Sequence, residues 1–139
     1  MSRAGSFVVG LLLALATFGC ARRDAADLVS RAELGVFYGG QVQERREVSM
    51  PKDRPRPTVG FRLTFAEALR EPLSVRWEVD MPGPAERRVS RVAEASVPAG
   101  QGRFDQVIEL PPNASFGTWN VRVETEGRLV VDRAFSLVP

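Results

Sequence analysis

Four acidic side chains stand in two pairs at a spacing of two, Glu78 with Asp80 and Glu124 with Glu126. In an extended strand that spacing puts both members of a pair on one face, which is the placement that glycoside hydrolysis or a calcium site would use. Arg76 and Arg122 share the same two phases, so each set reads as a solvated surface of mixed charge rather than as a site. Glu67 and Glu71, four apart, would be like charges on one helical turn and build nothing. The chain has no histidine and a single cysteine. Ser-His-Asp triads, Cys-His dyads, histidine-ligated zinc, thiolate clusters and an internal disulfide-exchange pair are therefore excluded. No glycine-rich phosphate loop follows a strand and opens a helix. "NAS" at Asn113 matches a glycosylation sequon and reads as a turn. The expectation is a chain that is not an enzyme, without catalytic residues, metal ligands, cofactor or small-molecule substrate.

The cysteine itself is Cys20, in "LATFGCARRD", where apolar residues give way to charge. Arg3 precedes the apolar run "FVVGLLLALATF" at residues 7–18, which is too short to cross a bilayer as a helix and has the length of a signal peptide. "TFGC" resembles a bacterial lipobox, with Thr17 and Phe18 standing where that motif usually has a leucine and a small residue. The resemblance implies removal of residues 1–19 and attachment of lipid to the Cys20 thiol. Two other readings stay open: cleavage after "ALA" at residues 14–16, leaving a free thiol, or retention of the run as a short apolar anchor. Lipidation is preferred because an unpaired thiol in an oxidising compartment is a liability that acylation removes. Acyl chains add about 0.8 kcal/mol per buried methylene, so several of them hold a protein firmly to a membrane. Ala21 and Arg22 follow, with no aspartate directly after the cysteine. In a Gram-negative host that sorts by the enterobacterial rule, this resembles an outer-membrane lipoprotein of the cell envelope, on its periplasmic or surface face.

With 139 residues, 19 basic and 17 acidic, the chain holds one domain and a short extension. The bases are all arginine except Lys52 and are interspersed with acids, which argues against the concentrated field that a nucleic-acid partner needs. Residues 20–32 are expected to be the lipidated cysteine and a tether, with residues 33–139 forming the domain. Extended, residues 21–31 would lift it by at most about 35 Å. Residues 24–34 have room for a turn or two of helix.

Beyond the tether, period-two alternation dominates. "TVGFRLTF" sends Val59, Phe61, Leu63 and Phe65 one way and Gly60, Arg62 and Thr64 the other. "LSVRWEVDM" sends Leu73, Val75, Trp77, Val79 and Met81 inward, and "PGP" stops it. "RVSRVAEASV" is a weaker strand or edge pair, and "RFDQVIEL" alternates through Phe104, Ile108 and Leu110. In "TWNVRVETEGRLVVDRAFSLV" two strands flank Glu126-Gly127, a tight-hairpin turn. "AELGVFYGGQVQERREV" gives one or two strands broken at Gly39-Gly40, and "AEALRE" has room for one helical turn. Seven or eight short strands with Pro/Gly punctuation predict an all-β, antiparallel sandwich. "ELPPNASFGTWNVRV" and the strand after it resemble the later strands of immunoglobulin-like and fibronectin-type-III-like domains, with Trp119 after the Gly-Thr turn. Trp77 would match their buried tryptophan. No cysteine pair joins the sheets, so side-chain packing must.

Two stretches are candidate contact surfaces. "PKDRPRP" carries Lys52, Arg54 and Arg56 on a proline-stiffened connector with only Asp53 to offset them. Beside a membrane such bases are worth roughly 1 kcal/mol each against anionic head groups, and otherwise the stretch is a solvated loop. "VFYGG" sets Phe37 beside Tyr38, and one of two neighbouring aromatics in a strand points away from the core. The expected function is a membrane-anchored envelope lipoprotein whose sandwich is a non-catalytic protein-interaction or assembly module. The alternative is a carbohydrate- or peptidoglycan-binding module, which needs exposed aromatic platforms.

Overall fold

A computed structural model describes residues 25–139. Cys20 and the signal-peptide stretch lie outside the described residues. One helical turn, α1 (Ala25–Leu28), leads into nine strands: β1 (Val29–Tyr38), β2 (Gln41–Gln43), β3 (Glu47–Ser49), β4 (Val59–Phe65), β5 (Leu73–Pro82), β6 (Arg88–Val97), β7 (Arg103–Ile108), β8 (Gly117–Thr125) and β9 (Arg128–Val138). They form two sheets, β2-β1-β4-β7 and β3-β9-β8-β5-β6, packed face to face.

The alternation places the core as expected. Val59, Phe61, Leu63 and Phe65 of β4 meet Leu73, Val75 and Val79 of β5 and Trp119, Val121 and Val123 of β8, all buried. Phe61 takes Trp77 edge-on, with ring centroids 5.6 Å apart, and Phe104 at 6.0 Å, so three aromatics join the sheets where many related sandwiches use a disulfide. Trp77 is half-buried; the fully buried tryptophan is Trp119, stacked on Phe135 at 6.0 Å with its indole N–H donating to the Ser115 carbonyl at 3.1 Å. The β8–β9 hairpin turns at Glu126 and Gly127, both with positive φ, as the two-residue turn requires.

Several expectations need correction. The strands number nine because residues 33–49 contribute to three of them, two only three residues long. The pairing is not wholly antiparallel: the link after β2 crosses to the other sheet, and β3 lands parallel to the end of β9, Val48 opposite Leu137. Residues 29–32, assigned to the tether, belong to β1, where Val29 and Ala32 pair with Phe65 and Leu63. Helix therefore stops at Leu28, since from Val29 the backbone is engaged by β4. Residues 66–71 make no helical turn, because the Ala66 and Leu69 N–H groups donate to the carbonyls of Leu28 and Gln101 instead.

Register also fixes the two ends of the sandwich. At one, Leu28 meets Ala66, and residues 66–72 are bonded to residues 98–102. β1 runs the full length away from it. At the other end lie Tyr38, the 50–58 loop, the 83–87 turn, the 109–116 loop and Pro139, tied by Phe37 N–H to Thr58 O and Met50 N–H to Val138 O, both 2.8 Å.

Candidate interaction surface

Of the residues singled out in the sequence, Phe37 and Tyr38 separate as neighbours in a strand must. Tyr38 ends β1 and is 73% exposed. Phe37 is half-buried on the outer face of the four-stranded sheet, lying over Gly60 with the Arg62 guanidinium 5.7 Å from its ring centroid. A side chain at Gly60 would come 2.4 Å from that ring and 2.2 Å from the Gln106 carbonyl oxygen, so only glycine fits beneath it. Phe37 is thus a lid on the sheet, and Tyr38 is the free ring.

Arg62, on the face of β4 opposite the core residues, is nevertheless only 9% exposed. It stands between Glu33 on β1 and Asp105 on β7, both directly opposite in register, and its Nε and Nη2 donate to the two Asp105 oxygens at 2.7 and 3.1 Å. The Asp105 hydrogen bonds, outweighing desolvation, raise the guanidinium pKa above its ordinary value. This row holds three strands in register. The carboxylates of the other sheet form an open ladder: Arg76 lies 3.5 Å from Glu124 and 3.9 Å from Glu94, Arg122 3.8 Å from Asp132, and Arg88 3.3 Å from Asp80. Among the described residues no group of three His, Cys, Asp or Glu side chains is placed to hold a metal ion.

The basic connector also divides. Arg56 donates to the carbonyls of Pro111 and Pro112 at 3.1 and 2.7 Å, clamping the 50–58 loop to the 109–116 loop. Lys52 and Arg54 are exposed, and among the described residues their side chains have no hydrogen-bond or ion-pair partner. All three lie at the end opposite Leu28. With β1 spanning about 33 Å between the ends, head groups at the Leu28 end are out of their reach unless the domain lies on its side. Phe116, in the clamped loop, is 52% exposed at the same end. The sequence gives no pattern for it, because a ring in an irregular Pro/Asn/Ser/Gly stretch has no strand phase from which to read its direction.

The surface so assembled carries two exposed rings, Tyr38 and Phe116, two uncommitted cations and a loop pair fixed by Arg56. Beside it a groove of about 400 Å³ runs between the sheet edges, lined by Arg56, Arg91, Val107, Leu110 and Pro112. A second, of about 420 Å³, opens on the other side of the sandwich beneath the β2–β3 link, where Arg133 is paired with Glu44 beside Leu34, Arg45 and Arg46.

Comparison with known proteins bears on the fold. An immunoglobulin-like protein from Pseudomonas aeruginosa superposes with a TM-score of 0.54 at 18% identity, over 80% of this chain and 94% of that one. The sandwich is immunoglobulin-like. No family model matches the sequence. Thioester-containing protein 1 of Anopheles gambiae, in its S3 and R1 alleles, is 28% identical over 108 residues, 76% of this chain. The match spans only 8% of those proteins' length.

Proposed function

We propose that this chain is a bacterial envelope lipoprotein, exported by residues 1–19 and held to the membrane by lipid on Cys20, whose immunoglobulin-like domain is a non-catalytic protein-interaction module that presents the Tyr38 end to its partner. The observation that carries the reading is polarity. The chain enters the sandwich at the Leu28 end, while the exposed rings Tyr38 and Phe116 and the uncommitted Lys52 and Arg54 are all at the other. With α1 (Ala25–Leu28) leading directly into β1, the tether shortens to residues 20–24, about 17 Å when extended. Such a tether keeps the Leu28 end near the bilayer and leaves the far end free. Exposed aromatics and arginine are among the residue types enriched at protein interfaces.

The mosquito relatives are named for a thioester, which requires a cysteine. The only cysteine here is Cys20, ahead of the sandwich, so we read that likeness as one of module architecture. Tyr38 and Phe116 are also two ring faces on which a sugar can stack, and that favours glycan binding as the second reading. Capture from solubilised envelope membranes separates the two. A defined protein that is retained by the unaltered chain and lost with Tyr38→Ala plus Phe116→Ala supports the module. Retention on cell-wall glycan that disappears with the same pair supports the alternative, and capture unaffected by the pair refutes the assignment of the surface.

A further inference from the structure

β6 is hydrogen-bonded on one side only. Its ten residues pair with β5 from Leu73 opposite Val97 to Pro82 opposite Arg88 without a register shift. Its other edge faces solvent, and nearly every side chain along it is exposed. The other outermost strands are shorter, three residues each in β2 and β3 and six in β7. A long regular edge is a template for a further strand, and chains that avoid pairing interrupt it with proline or a bulge or set charges along it. β6 has no proline and no bulge, and its charges, Arg88, Arg91 and Glu94, leave pairing open only in a register that keeps like charges apart.

We propose that β6 pairs antiparallel with β6 of a second copy of this chain, about a two-fold axis through Val92, joining two five-stranded sheets into one. Side chains directly opposite in an antiparallel pair share a face, which limits the two-fold to positions that match even residues with even. An axis through Val92 opposes Arg88 to Ser96 and Ser90 to Glu94 on the outer face, with Val92 against its own copy. On the inner face it opposes Val89 to Ala95 and Arg91 to Ala93. Each long side chain thus meets an alanine or a serine, and Val92, 51% exposed in one chain, is covered by an equal apolar group. No charge faces a like charge, and Glu94 has Arg88 of the second copy on its diagonal. That Arg88 is already fixed by Asp80 and by the Thr118 carbonyl, at 3.3 and 2.9 Å.

The neighbouring axes fail this test. Through Arg91, two guanidinium groups stand opposite each other, which is destabilising. Through Ala93, Val92 is set against Glu94. The register is therefore a property of the β6 sequence and does not depend on the anchor or on the Tyr38 surface. The two-fold points the Leu28 ends in opposite directions.

The experiment uses the full chain in detergent with Cys20→Ser, so that an introduced thiol is the only one. Sedimentation velocity is expected to show a concentration-dependent dimer that is lost in Val92→Lys, which sets two ammonium groups on the axis while leaving the unfolding midpoint unchanged. Val92→Cys is expected to form a disulfide-linked dimer on mild oxidation. Ser90→Cys and Glu94→Cys cross-link only when both are present in each chain, since that register alone brings them opposite. A monomer at every concentration, a dimer that persists in Val92→Lys, or cross-linking by Ser90→Cys alone as strong as by Val92→Cys would each overturn the proposal.

Discussion

At the Leu28 end the loops are knitted to one another by backbone: Ala66, Leu69 and Gly100 N–H groups donate across the end to Leu28, Gln101 and Leu69 carbonyls, and Leu69 itself is buried as a plug. At the Tyr38 end backbone bonds tie Phe37 to Thr58 and Met50 to Val138, Arg56 clamps the 50–58 loop to the 109–116 loop, and two aromatic rings are left in water. The first arrangement satisfies donors and buries apolar surface, which is what stability requires. The second leaves apolar surface uncovered at a cost to the isolated domain, which is what a contact surface requires. The two ends are thus distinguished by what each does with its apolar groups: one buries Leu69, and the other leaves Tyr38 and Phe116 in water.

Substitutions should divide along the same line. Trp119→Ala, beneath the Tyr38 end but fully buried, is expected to cost about 3–5 kcal/mol; a smaller loss would mean that this ring fills less of the core than its full burial implies. Leu69→Ala should cost about 2–4 kcal/mol by opening the plug, measured by urea unfolding, and an unchanged midpoint would break the contrast between the ends. Arg56→Ala should cost about 1–2 kcal/mol, because two loop carbonyls lose a charged donor, and should raise amide exchange in the 109–116 loop more than anywhere else. Tyr38→Ala with Phe116→Ala should change stability by no more than about 0.5 kcal/mol while abolishing partner capture. Destabilisation as large as that of Leu69→Ala would make the rings part of the fold rather than of an interface.

The central strands were readable from sequence because their direction is a local property. In β4 and β5 the alternation alone places Val59, Phe61, Leu63, Val75 and Val79 inside, and Glu126-Gly127 marks its own turn. What escaped depends on strands distant in the chain. Arg62 occupies the outward phase of β4, yet Glu33 and Asp105 arrive on either side of it through pairings that no local window contains. β3 is three residues long and gains its place from β9, ninety residues away at the Ser49 hydroxyl's bond to the Pro139 carbonyl. The candidate surface was half legible. Strand phase marks one ring of the Phe37–Tyr38 pair as facing away from the core without saying which, and Tyr38 is exposed because β1 ends there, although it shares the inward phase of Leu34. Arg56 resembles Lys52 and Arg54 in sequence and differs from them only through the two proline carbonyls it finds. Phe116 carries no phase at all.

The proposed orientation rests on lipid attachment at Cys20, and the most direct test of that proposal is the intact mass of the mature protein purified from a bacterial host. The account predicts a chain that begins at Cys20 and carries the added mass of fatty acyl groups. A chain that begins after Ala16 with a free thiol, or one that retains residues 1–19, would contradict it.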